Sequence, residues 1–224
     1  MNTRRRLLAL APVGALLVSG RAFAADTSAY SEAERLLFTE DHFKSLTGAT
    51  RLDYEYRKRG ALEAAFTDKV QVAVSAKNAT GGRDVKVDFL TGNRRMELPE
   101  VKDAEGNPLI LYFFEREVRE MHRLTGGSVN YYRKRIRMAF ADGAQVKPVA
   151  STVNGKPLQA REIHFAPYRD DPARPRYEKF AEKTFVLTLS EQVPGGIIEM
   201  RSELLQPAEP TLVSAESLRY IARR

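Results

Sequence analysis

Residues 109–141 read LILYFFEREVREMHRLTGGSVNYYRKRIRMAFA, two helices joined by Gly126-Gly127. Asn107-Pro108 opens the first and the glycine pair ends it. Ser128 is placed to cap the second, which runs to about Ala141 before Asp142-Gly143 closes it. With Ile110 at 0° and 100° per residue, Ile110, Phe113, Phe114, Val118, Met121 and Leu124 fall within roughly 140° of arc. Arg116, Arg119 and Arg123 lie opposite, with Tyr112 and Glu120. The second helix has its own apolar line, Val129, Tyr132, Ile136 and Phe140. Glu117 falls in the middle of the first stripe, where a lone carboxylate is costly. Arg133 and Arg137 lie beside the facing line, so the spacing predicts that Glu117 pairs with one of them inside the hairpin. The alternative is a rotated helix that lets Glu117 reach solvent.

On both sides of this hairpin the period changes from 3.6 to 2. Before it, Leu52, Tyr54 and Tyr56 alternate with charged residues, Phe66, Val70, Val72 and Val74 share one side, and Val85, Val87 and Phe89 follow the turn at 78–82. A fourth strand is expected to carry Met96 and Leu98. After it, Asn154-Gly155 is a type I′ signal between 146–153 and 158–165. Alternation returns at Phe185, Leu187 and Leu189, then after Pro194-Gly195-Gly196 through Ile197–Leu205, with a last strand at Leu212–Ile221. The loop Pro167–Arg176 carries three prolines and Asp170-Asp171; neighbours in an extended chain point apart, which disfavours a catalytic dyad. Ser31 and Glu34 form a capping box for a short helix whose apolar side is Leu36, Leu37, Phe43 and Leu46.

The expected fold class is therefore α+β: a curved antiparallel sheet of about four plus five strands, an open half-barrel, covered by the central helical hairpin and preceded by a short N-terminal helix. A sheet of that size curls and leaves one concave apolar face.

The N-terminus has another character. Arg4-Arg5-Arg6, the apolar run Leu7–Val18 and Ala22-Phe23-Ala24 have the form of a cleavable signal peptide spanning 1–24. The run is too short to anchor in a membrane, where roughly 20 residues are needed. Thr3-Arg4-Arg5-Arg6-Leu7-Leu8 also has the form of a twin-arginine signal, so export is expected through Sec or that route, to the periplasm. Residues 25–31 are expected to be mobile, and residues 25–224 to form a single domain. The chain has a formal charge of +7; four arginines lie in residues 1–24 and no acid does, which leaves +3 and gives little reason to expect nucleic acid. There is no cysteine, which excludes disulfides and a lipobox.

The three histidines, His42, His122 and His164, lack metal-ligand spacing, and no nucleophile elbow, P-loop or dinucleotide fingerprint occurs. No cofactor and no catalytic residue are expected.

The element order resembles that of the LolA-like lipoprotein carriers and related lipid-binding half-barrels, over nearly the whole of 25–224. The resemblance rests on order alone; no motif accompanies it. It implies an unclosed barrel wrapped around helices that roof an acyl-chain cavity, and hence a periplasmic, non-catalytic carrier of a lipid or lipidated protein. Under that reading residues 109–141 are the roof, and the ligand contacts are Ile110, Phe113, Phe114, Glu117, Met121, Tyr132, Arg133 and Ile136. Arg133-Lys134-Arg135 and Arg137 would steer the protein toward anionic headgroups, giving transient contact with a membrane surface. Core packing against the sheet is the other reading of the hairpin's apolar side chains, and an accessory module with a self-filled core the other reading of the protein. A hydrolase whose residues converge only in space is a third.

Overall fold

A computed structural model of the protein describes residues 30–206 and 211–224. The expected signal peptide, 1–24, lies outside these residues. Nine strands, β1 (Thr50–Gly60), β2 (Phe66–Val74), β3 (Arg83–Phe89), β4 (Val101–Ala104), β5 (Gln145–Val153), β6 (Lys156–Phe165), β7 (Thr184–Leu189), β8 (Ile197–Leu205) and β9 (Leu212–Arg223), form one antiparallel sheet in the order β4-β3-β2-β1-β9-β8-β7-β6-β5. The first and last strands pair at its centre. The two outer strands, β4 and β5, are consecutive in the chain and are joined by the hairpin, helices α2 (Leu109–Thr125) and α3 (Val129–Met138). A connection between opposite edges must cross one face of the sheet, and this places the hairpin over the core.

The sheet is unclosed and curls around α2. Tyr112 of α2 packs against Phe89 of β3 at 6.0 Å, while Phe114, two residues on, packs against Phe165 of β6 and Phe185 of β7 at 5.9 and 6.0 Å. In a flat sheet β3 and β6 would stand roughly 29 Å apart at ~4.8 Å per strand, well beyond the reach of one helix about 10–12 Å across. Register shifts at Asp53/Tyr54, Thr188/Leu189 and Leu204/Leu205 mark bulges, which increase twist locally. The half-barrel with its helical cover is the arrangement that the element order implied.

Curling also explains why α2 is buried over a wider arc than its stripe. Tyr112 and Glu120, expected on the solvent side, are both buried. Glu115 and Arg119 form an i,i+4 pair at 3.3 Å, whereas Arg116 and Glu120, at the same spacing, do not pair: Glu120 is held by Arg123 and Arg116 turns to other partners.

Several boundaries differ from the sequence reading. The capping box of Ser31 and Glu34 forms, so Ser31 is held in place rather than loose. Helix α1 (Glu32–Glu34) then widens into a π turn, Arg35–Thr39, and stops. The Asp41 side chain accepts the Phe43 amide, a local turn that competes with helix, so Phe43 and Leu46 reach the core from a separate turn. Met96 makes only an isolated bridge to Phe89, and β4 begins after Pro99, which lacks a ladder donor. Ser128 makes no side-chain cap bond, and regular helix ends at Met138 before a π turn, Ala139–Gly143. The charged loop ends in a 3₁₀ turn, Arg174–Arg176, and a short helix, α4 (Glu178–Ala181), follows it. Asn154 and Gly155 both have positive φ (49° and 76°), as their type I′ turn requires.

Candidate ligand-binding site

The space between α2 and the sheet is filled by side chains. Ile110, Phe113 and Met121, expected ligand contacts, are buried in the core. Tyr132 is buried as well; its hydroxyl meets Thr125 Oγ1 at 2.6 Å, and its ring packs edge-on against Tyr168 and Tyr177. These four are core residues. The aromatic stripe was readable, but its periodicity is the same whether it lines a cavity or packs against a wall.

The centre of the filled space is charged. Glu117 pairs with Lys183, the residue before β7, and both are buried. It does not pair with Arg133 or Arg137. Those arginines start from the far side of α3, and Arg133 instead binds Glu115 at the surface, at 3.0 and 2.8 Å. Beside this pair, Lys58 of β1 donates to Glu216 of β9 at 2.5 Å and to Ser214 at 3.1 Å. The other Glu216 oxygen accepts from Tyr56 at 2.5 Å, and Arg116 Nε donates to the same tyrosine at 2.6 Å while Nη2 meets Glu63 at 2.9 Å. Glu120 stands 3.9 Å from Lys58 and is held bidentately by Arg123.

The electrostatics follow from this packing. Burial by itself would raise Glu216, but Lys183, Lys58 and Arg116 outweigh it and bring its pKa down to about 2. Burial dominates at Glu117, whose pKa is raised although Lys183 opposes the shift. Burial opposes the charge on Lys183, but Glu117 and Glu216 overcome it and raise its pKa. Tyr168 lies against Glu117, and burial together with that carboxylate pushes its phenol far up; neither its hydroxyl nor Glu117 Oε1 makes a well-formed hydrogen bond. Sequence reading noticed Glu117 and missed its partners. The signal was present: Lys58 is in phase with Leu52, Tyr54 and Tyr56, and Glu216 is in phase with Leu218 and Tyr220, so both point inward.

An apolar groove lies instead on the outer side of the hairpin. Its floor is Phe114 and Val118 of α2 with Ile136 and Phe140 of the α3 segment, and Phe38, Leu111 and Tyr30 form its lips. Its volume is about 420 Å³, within the range of small-molecule sites. Leu111 is 57% exposed and Phe38 41%. Arg133, Arg137, Glu34 and Glu115 stand at the rim. Phe38 packs edge-on against Phe140 at 5.6 Å, and Ser31 Oγ donates to the Phe140 carbonyl at 2.7 Å, so α1 forms one wall. Of the eight expected contacts, Phe114, Arg133 and Ile136 meet here and the other five do not. Leu111 was missed because it lies outside the α2 stripe, and Phe38 because nothing local ties it to the hairpin.

A second cleft of about 420 Å³, between His42, the middle of β6 and the end of β7, is lined by polar and apolar side chains alike. Its cations are already matched, Lys44 with Glu191 and Arg161 with Glu32. Both ring nitrogens of His42 are engaged, by the Asn107 amide and the Leu36 carbonyl, and burial lowers its pKa, so it is a neutral structural group. Among the described residues no cluster of His, Asp and Glu has the geometry to hold a metal ion, and no helix is long and apolar enough to cross a membrane.

No protein-family model matches the chain, and no curated protein matches it. Among solved structures it is similar to the lipoprotein LppX of Mycobacterium tuberculosis, with 9% identity over 80% of this chain and 87% of that one and a TM-score of 0.30. It is also similar to a DUF1329 family protein from Desulfovibrio piger, with 10% identity, 86% and 89% coverage and a TM-score of 0.30. For a LolA superfamily protein from Nitrosomonas europaea the values are 10%, 86%, 92% and 0.23. The site is accordingly read from its own residues.

Proposed function

We propose that the protein binds or carries a hydrophobic ligand, a lipid or the lipid moiety of a protein, outside the cytoplasm. The observation that carries this reading is the groove in which exposed Phe38 and Leu111 flank a floor of the largely buried Phe114, Val118, Ile136 and Phe140: a mostly apolar concave site with a few charged groups at its rim is the usual form of a small-molecule site. The export signal read in residues 1–24 supplies the compartment. Mass spectrometry of organic extracts from natively purified protein tests the reading, together with displacement of a soluble fluorescent fatty acid. A co-purifying lipid, and a probe affinity lowered by Leu111→Glu, are the expected results. Absence of any extracted lipid combined with a probe affinity unaffected by Leu111→Glu would remove the reading.

A second reading, an accessory module whose concave face is closed by its own side chains, is favoured by one observation. The place where the half-barrel reading puts an acyl cavity holds Lys58, Glu117, Lys183 and Glu216. An acyl chain does not enter a space lined by paired charges without breaking them. The two readings separate on the outer groove: the module needs no ligand there.

A further inference from the structure

The hairpin's outer face joins two features that ligand binding in the groove does not require. The first is that four of the six large exposed apolar side chains among the described residues lie on or beside this face, the other two, Leu205 and Ile221, being on β8 and β9. Tyr30, Phe38 and Leu111 all line the groove, and Met138, 38% exposed, lies on the exposed side of α3. The second is charge. Helix α3 carries Arg133, Lys134, Arg135 and Arg137 and no acid. Arg135 turns inward to Asp171 at 3.0 Å, but Lys134 and Arg137 are exposed and, among the described residues, have no ion-pair partner. Arg137 stands at the groove rim, and Lys134 lies 60° round the helix from it at 100° per residue, on the same exposed side. The rim acids offset this charge only in part: Glu115 is shared by Arg119 and Arg133, and Glu34 keeps its charge while accepting the Ser31 amide, so the four cations Arg119, Arg133, Lys134 and Arg137 outnumber the two carboxylates.

We infer that this face docks on an anionic bilayer surface, with Phe38 and Leu111 entering the interface and Lys134 and Arg137 meeting the headgroups. Exposed apolar side chains, here from the turn after α1 and from α2, beside cations from α3 supply the two contributions to interfacial binding, area and charge. A second copy of this chain is the less favoured occupant: a two-fold contact through this face brings one α3 close to the other, cation against cation. The inference goes beyond ligand binding and does not depend on it, because a bilayer can be met by the groove's lips whether or not a chain enters its floor.

The test is co-sedimentation of the exported chain, its N-terminus determined, with vesicles of phosphatidylcholine alone or mixed with phosphatidylglycerol. The expected result is binding to the mixed vesicles, weakened by salt and much weaker on phosphatidylcholine alone. Lys134→Gln with Arg137→Gln should lower partitioning about 25-fold, at roughly fivefold for each basic residue near an anionic surface. Phe38→Ser with Leu111→Ser should lower it on the same vesicles, and circular dichroism reports whether each variant is folded. Equal or absent binding to the two vesicle types overturns the inference. So does full binding by the folded Phe38/Leu111 variant, which would place the contact elsewhere. A dimer in solution that these substitutions dissolve overturns it too, by assigning the face to a second copy. Displacement of the soluble fatty-acid probe, measured without vesicles, reports separately on ligand binding, so either idea can fail alone.

Discussion

Lys183, at the entrance to β7, reaches the carboxylate of Glu117 in the middle of α2, and the two are buried together beneath the hairpin. This pair ties the helical cover to the half of the sheet that follows it in sequence. A buried pair adds little net stability over apolar side chains of the same size, but breaking it from one side leaves a charge stranded. Lys183→Met is therefore expected to lower unfolding free energy by about 3–5 kcal/mol. The double variant Lys183→Met with Glu117→Leu should recover most of that loss. Urea unfolding of both variants checks this; a single variant as stable as the parent would show that the pair does not hold the hairpin.

The neighbouring carboxylate sets a pH dependence of definite sign. Glu216 has a folded pKa of about 2 against an ordinary value of 4.5. Folded protein thus takes up that proton less readily than unfolded chain does. Its stabilising contribution is complete above 4.5 and is lost as pH falls toward 2. Glu117, with a raised pKa, acts in the opposite sense: its burial cost is relieved on protonation, which offsets part of the loss. Glu216→Gln should be less stable than the parent at neutral pH and lose less stability across the acid window. Urea midpoints measured from pH 5 downward decide it; parallel curves would mean that Glu216 does not carry the acid sensitivity.

The fold was legible because each of its signals is local or periodic. Val85, Val87 and Phe89 announce a strand by alternation, Asn154-Gly155 announces a turn by its backbone needs, and the Leu109–Thr125 stripe announces a helix. The strand pairing at the centre, β1 with β9, is about 160 residues long-range, as Tyr56 and Glu216 illustrate, and only the count of strands hinted at it. The site was harder to read for the same physical reason. Glu117 stood out as a charge in an apolar stripe, but its partner is chosen by tertiary packing, and Lys183 lies 66 residues away. Arg133 was the nearer candidate in sequence and faces solvent. The groove combines Phe38 with Leu111, two residues that no single period connects.

Asp171 fastens the charged loop to α3. It accepts hydrogen bonds from Tyr131 at 2.5 Å and from Tyr177, and it pairs with Arg135. Its pKa is lowered: burial works against the charge, and the two phenols outweigh it. Asp171→Ala leaves Arg135 and two tyrosine hydroxyls without their shared acceptor. The expected cost is about 2–4 kcal/mol, in the range for breaking a buried charged network. The loss should be local, with faster amide exchange across residues 166–182 and little change in β1 or β9. Exchange that accelerates equally throughout the sheet would instead make Asp171 part of the global core.

Ser31 joins two roles in one hydroxyl. As N-cap it accepts the Glu34 amide at 3.1 Å, and it donates to the Phe140 carbonyl at 2.7 Å, which lies in the floor segment of the groove. Ser31→Ala is expected to reduce stability by about 1 kcal/mol, the usual loss for a helix cap. The second bond makes a further demand. Without it α1 is released from the α3 segment, and Phe38 loses the support that holds its ring against Phe140. The fatty-acid probe should then bind more weakly than the stability change alone implies, with a faster dissociation rate. Ser31→Thr, which keeps the hydroxyl, should restore both. If Ser31→Ala lowers stability while probe affinity stays at the parent value, α1 is not a working wall of the groove.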